Sequence, residues 1–357
     1  MEPNRPRLPA PGPTAPLAPA VLTLSSPADI VAAVPYLLGY HPADTLVVLG
    51  LRGGTPRLHT LFRCDLGEHV LGHPLEAARH LVTGLRADHC GTALIVGYGP
   101  AADITRCVDA LRRRAAEAGI AVGEALRVAD GRYWSYVCDS PGCCPPEGVP
   151  VDPSASAVSA AAVANGLSAW QSLNRIRAYL APLDDPARAP MRAATRRAER
   201  RGRRLRAASP GRDSFGPRFR VRGARVVRAA VAAALRGDLP RAPDHLAWLG
   251  VLLACVRVRD DAWVRIGPGT ADPHVELWRQ VLRHVDPAYR PAPGCLLAVA
   301  AWARGDIALA DAALDLVRAA DPRYPLAELL CQALRAGLPW QGVPAERLAA
   351  AWPRDRP

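Results

Sequence analysis

The chain of 357 residues has no lysine: all 45 of its basic residues are arginine, and Phe (3) and Met (2) are nearly as scarce. Ala, Pro, Gly and Arg are abundant by contrast. That is the imprint of a GC-rich coding sequence, so arginine richness alone is no argument for a function. Other absences narrow the class. No apolar run reaches the roughly 20 residues that a membrane span requires; the longest, near His245 to Val258, reads as a buried helix. The Pro-studded residues 1–20 carry no continuous apolar segment of the secretory kind and are expected to be a disordered lead. Nine cysteines, an odd number and mostly set in apolar patterns (Cys107, Cys255, Cys295, Cys331), do not form a disulfide framework and fit a reducing cytoplasm. Neither G-x-G-x-x-G after the first strand nor G-x-x-x-x-G-K-[ST] is present, so the two common nucleotide-binding loops are excluded.

What is there supports two domains, since a hydrophobic fraction of 50% over this length supplies ample core. The formal net charge is +12, and it is concentrated. From Arg188 to Arg228 there are 15 Arg against two acids, Glu199 and Asp213, a local charge of +13 that leaves 12 − 13 = −1 for the rest. The basicity belongs to one segment.

Hydrophobic period and punctuation place the elements. Val21–Leu24 is a short strand candidate, and Ser26-Pro27 supplies the cap and first turn of a helix running to about Leu38, kinked at Pro35 and ended by Gly39. Thr45–Leu51 reads as a buried strand, Gly53-Gly54 as a turn into a second strand over Arg57–Asp65. A helix over Pro74–Leu85, a strand over Thr92–Gly97, a helix over Asp103–Ala118 and a strand at Ala125–Ala129 follow. Asp130-Gly131 is then a strong hairpin signal into Arg132–Val137. This pattern argues for a mixed sheet with covering helices. Beyond Gly148 the chain is helical: about Ser156–Tyr179, the Arg run over Ala189–Ala208, a loop over Ser209–Pro217, then segments near Val226–Leu235, Asp244–Val258, Pro273–Val285, Pro293–Arg304, Asp306–Ala320 and Tyr324–Ala336. Gly305 to Pro322 resembles the second half of a tetratricopeptide repeat, although Gly294 and Ala301 stand where that repeat has large aromatics.

The runs Ser26–Leu49 (S-P-A-D-I-V-A-A-V-P-Y-L-L-G-Y-H-P-A-D-T-L-V-V-L), R-Y-W-S-Y-V-C at Arg132–Cys138 and C-C-P-P-E-G at Cys143–Gly148 resemble the actinobacterial domain-of-unknown-function family 4192. The resemblance implies a cytoplasmic protein of a high-GC bacterium and carries no activity with it.

Four sets of residues invite a functional reading. Cys138, Cys143 and Cys144, spaced C-x4-C-C, present three thiolates to a zinc ion, with His41 or His59 as candidates for a fourth ligand; the alternative is a tight Pro/Gly turn in which the thiols are small packing groups. His41, in the turn between a helix and a buried strand and close to Asp44, suits acid–base work at a strand end, or else caps the helix C-terminus. Tyr133, Trp134 and Tyr136 alternate on a strand; one face is core, and the other stacks a ligand or closes a hydrophobic surface. The arginines at Arg196-Arg197, Arg200-Arg201 and Arg203-Arg204 either grip phosphates or form a solvated helix; without interleaved aromatics, any nucleic-acid binding is expected to be non-specific and lost near physiological salt.

The expected organisation is a disordered lead (1–20), an α/β sheet domain (21–150), a helical Arg-rich connector (151–223), an all-α domain of tetratricopeptide-like helical hairpins (224–345) and a tail (346–357). The expected function is that of a cytoplasmic interaction or regulatory module docking a protein partner through its helical domain. The alternative is an enzyme or a small-ligand or metal-binding protein using His41, Asp44 and the Cys138–Cys144 loop, with no assignable reaction class.

Overall fold

The structure is a computed structural model that describes residues 24–52, 57–183, 185–207 and 216–342. The expected lead and tail lie outside the described residues, as do the Gly53-Gly54 turn, most of the loop before Pro217, and the strand candidate at Val21 except for Leu24, which belongs to no strand. The chain divides into two compact units, Met1–Ala169 and Trp170–Pro357.

The first unit is a mixed sheet with helices on it. Its elements are α1 (Pro27–Leu38), β1 (Thr45–Arg52), β2 (Arg57–Asp65), α2 (Glu68–Gly72), α3 (Pro74–Ala87), β3 (Thr92–Tyr98), α4 (Ala101–Glu117), β4 (Ala121–Ala129), β5 (Arg132–Ser135), β6 (Val149–Pro150) and α5 (Ala157–Ala164). The strand order is β2-β1-β3-β4-β5-β6. Every neighbouring pair is antiparallel except β3 and β4, which run parallel because the α4 crossover returns the chain to the same end. The Thr45–Gly50 run is buried on both faces, as a continuous apolar strand must be. Leu46, Val48, Ile95 and Ala125 meet α3 and α4 through Leu85, Ile104 and Leu111, whereas Val47, Leu49, Val96 and Leu126 meet α1 through Ile30, Val31 and Val34. Ser26 caps α1 by accepting the Asp29 amide, and Gly39 at φ 77° ends it. The expected hairpin is present: Asp130 (φ 50°) and Gly131 (φ 69°) both adopt the left-handed backbone that a two-residue turn of this hand demands.

The sequence did not announce α2 or the two-residue β6. The single helix expected over Ser156–Tyr179 is two, α5 and α6 (Leu173–Leu180): Asn165-Gly166, with Gly166 at φ 78°, stops the first, and Ser172 caps the second by accepting the Arg175 amide.

The described residues of the second unit form helices, continuing from α6 with α7 (Asp185–Ala207), α8 (Pro217–Leu235), α9 (Pro243–Leu253), α10 (Val256–Trp263), α11 (Ala271–His284), α12 (Pro291–Ala303), α13 (Ile307–Ala320) and α14 (Pro325–Arg335). The segment expected as one helix from Asp244 to Val258 is broken between Leu253 and Val256, where Cys255 takes an extended conformation. α12 is buried on nearly all sides, against α11 and α13, and Trp278 and Phe219 are fully enclosed. α7 packs on α9 through Met191, Ala194, Ala198 and Gly202, so its arginines occupy the remaining faces. No helix of the described residues is long and apolar enough to cross a membrane.

Candidate metal centre

The Asp130-Gly131 turn fixes the register of the last hairpin, setting Trp134 opposite Arg127 and Ser135 opposite Leu126. Everything about the cysteine loop follows from those two residues and from Arg132. Ser135 Oγ donates to Glu124 Oε1 at 2.8 Å and accepts the amides of Val137 and Cys138, each at 3.2 Å, which turns the chain out of the strand and points Cys138 into the loop. At the other end Arg132 donates to the Gly148 carbonyl at 2.7 Å, and Trp134 Nε1 donates to the Pro146 carbonyl at 3.0 Å. The Arg127 guanidinium stacks 3.6 Å from the Trp134 ring centroid. Gly148, at φ 82°, presses against that same indole: a Cβ there would lie 2.5 Å from Trp134 Cε2. Between the two anchors, the Ser140 carbonyl accepts the amides of Cys143 (3.1 Å) and Cys144 (2.7 Å), folding the loop back on itself.

The result gathers three thiols. The sulfurs of Cys138, Cys143 and Cys144 all lie within 4.8 Å of one another, and among the described residues no other group of three or more His, Cys, Asp or Glu is so arranged. Thiolates held by one zinc at about 2.3 Å stand about 3.8 Å apart at tetrahedral angles, so small inward rotations close the site. Cys143 is exposed and its two partners half-buried, leaving the cluster open to an entering ion. The Cys138 thiol is pulled below its ordinary value, first by a backbone hydrogen bond from Ser140 and then by Cys144. Cys144 moves the other way, pushed up to about 12 by loss of solvent and then by the two neighbouring sulfurs.

Of the sequence candidates, Tyr133 feels the charge of the thiols. It is buried in the core against α1, and its hydroxyl is pushed up by that burial first and then by Cys144 and Cys143. Tyr136 turns to the other face and hydrogen-bonds Thr105 of α4 at 2.9 Å, while Trp134 is the clasp of the loop. Tyr133 is buried, and the Trp134 indole is packed by Arg127 and Gly148. The group of sulfurs includes neither His41 nor His59, both of which are exposed. The topology explains why His41 is apart: β1 starts opposite the last residue of β3, at the end of the sheet that holds the β4–β5 turn, whereas Cys138 follows β5 toward the opposite end. Asp44 is exposed at φ 46°, and no hydrogen bond joins it to His41. The residues that sequence reasoning missed are Glu124, Arg127 and Gly148. Counting the register from Asp130-Gly131 would have found Arg127 directly across from Trp134, and Glu124 one diagonal step from Ser135.

A mixed sheet unit closing on a three-thiol loop, followed by a unit of packed helices, defines a two-unit α/β and all-α protein. The chain belongs to the family described as Domain of unknown function (DUF4192), which it matches over residues 27–340. No curated protein and no solved structure matches the chain.

Proposed function

We propose that this DUF4192 protein is a regulatory or interaction module whose sheet unit binds a thiophilic metal ion, zinc foremost, through Cys138, Cys143 and Cys144. The observation that carries this is the convergence of three sulfurs within 4.8 Å on a loop tied down at both ends. Soft thiolates select zinc or copper(I) over hard cations. Three protein thiolates leave one tetrahedral position for water or for a side chain of a partner, which lets metal occupancy and partner binding control one another. Thiolate ligation requires reduced cysteines, which supports the reading of a cytoplasmic protein. The helical unit is the docking element; Leu329 on α14 is 62% exposed and Leu338, just beyond it, 53%, apolar side chains set outward at one end of the unit.

Elemental analysis of the protein purified under reducing conditions tests the metal site. About one equivalent of zinc is expected, and cobalt substitution should give an intense sulfur-to-metal charge-transfer band that C143S and C144S each abolish. Less than about a tenth of an equivalent, together with no band on cobalt addition, would remove the proposal. Docking is read separately: a protein that co-purifies from the native host should be retained by wild type and released by L329E.

A further inference from the structure

We infer that the helical unit binds a compact polyphosphate anion in a cleft between α7 and α8. Arg197, Arg200, Arg201 and Arg204 stand at i, i+3, i+4 and i+7 and therefore form one stripe about 10 Å long on α7. Arg222 of α8 converges on the same stripe, and these five arginines with Leu205 line a cleft of about 450 Å³, with no acid among its described lining residues. Within it Arg200, Arg204 and Arg222 make no hydrogen bond or ion pair with any described residue, whereas the upstream end of the stripe is closed by Arg197, held to Asp244 at 2.7 Å. Arg201 lies 4.4 Å from the Trp248 ring centroid, and loss of solvent, then Arg222, lowers its affinity for its proton. The four arginines that Asp244 does not hold repel one another on this concave surface until an anion enters.

Guanidinium groups match phosphate oxygens with paired N–H donors, and a stripe of this length spans two or three linked phosphates. The indole beside Arg201 is itself buried, 4% exposed, so no aromatic face is offered to a base. A second recess, about 610 Å³, adjoins the cleft through Leu205 and Arg222 and is lined by Pro217, Val221 and Val226 among others. Its apolar wall suits the body of a larger molecule that carries the phosphates. The chemistry recognised is the phosphate chain, either free or as the tail of a nucleotide.

Titration calorimetry of the full chain at about 0.15 M salt, where exposed charges more than about 8 Å apart are screened, tests this with tripolyphosphate, ATP and a random-sequence 20-mer oligonucleotide. Tripolyphosphate should bind the wild type, and R200Q/R204Q should weaken it about tenfold or more with an unchanged thermal midpoint, while R203Q leaves it as it was. ATP tighter than tripolyphosphate assigns the neighbouring recess to the nucleoside; ATP weaker assigns a free polyphosphate. The inference is overturned if neither small anion binds, if the double variant binds as well as wild type, or if only the oligonucleotide is held.

Discussion

Replacing Gly148 with alanine probes the clasp on which the thiol loop depends. Two costs arise. The residue sits at φ 82°, a left-handed backbone that costs an L-amino acid with a Cβ about 1–2 kcal/mol. The new methyl would also lie 2.5 Å from Trp134 Cε2, 2.8 Å from Cζ2 and 2.9 Å from Nε1, where carbon contacts relax near 3.5–4 Å. The indole has little freedom to retreat, since Arg127 stacks on it at 3.6 Å and its N–H is bound to the Pro146 carbonyl at 3.0 Å. Overpacking of this degree costs about 1–3 kcal/mol, so G148A should lose about 2–5 kcal/mol in all. A thermal melt followed by circular dichroism should fall by roughly 5–15 °C. Two companions separate the causes. G148N, whose side chain tolerates the left-handed region, should recover only the backbone share, and W134L should make the alanine cheaper, a non-additive pair. A G148A midpoint within about one degree of wild type would refute the reasoning.

Three further outcomes are expected. Ser135→Ala removes the hydroxyl that holds Glu124 and orients Cys138 without touching a thiol, and should weaken zinc or cobalt binding about tenfold to a hundredfold, read by competition with a chelating dye. His274 is buried, accepts the Trp278 Nε1–H on its Nδ1 at 3.1 Å, and is lowered by burial from 6.5 to about 4. It is neutral in the fold and gains a proton on unfolding, so its contribution is complete above pH 6.5 and drains as pH falls toward 4, reaching about 3 kcal/mol; urea midpoints at successive pH values should show it, and H274Q should flatten that limb. Asp306 caps α13 through the Leu309 amide (3.0 Å) and also receives Trp170 Nε1 (3.0 Å) and Arg304 (2.8 Å), so D306A should cost about 2–4 kcal/mol in denaturant and D306N clearly less.

Most of the sheet unit was legible because its signals are local. The run Thr45–Leu51 is apolar on both faces and could only be an interior strand, and Asp130-Gly131 permits one kind of turn. The broken helices were less legible for the opposite reason. Periodicity carries across Asn165-Gly166 and across Ala254-Cys255, and only caps and tertiary packing interrupt it there. For the site, sequence spacing nominated Cys138, Cys143 and Cys144 correctly as neighbours, but linking them to His41 required knowing which end of the sheet each occupies. That is set by the α4 crossover, which makes β3 and β4 parallel, and no short window records it. The Arg run was visible as charge at helical spacing; what was hidden is that Arg222, eighteen residues beyond Arg204, faces four of its members from the next helix.

The two proposed sites are each built wholly within one unit, the thiols on the β5–β6 loop and the arginines on α7 and α8. Among the described residues they share no side chain and no partner, and perturbations without shared partners add to within about half a kcal/mol. C144S should therefore leave tripolyphosphate affinity unchanged within about twofold, and R200Q/R204Q should leave zinc content and the cobalt band unchanged. A regulatory module gains by this independence only if a partner reads both sites at once. Such a partner should bind more tightly when metal and anion are both present than when either is present alone. If zinc alone shifts tripolyphosphate affinity about tenfold in the isolated chain, the sites are coupled through the protein itself and the assignment of separate roles fails.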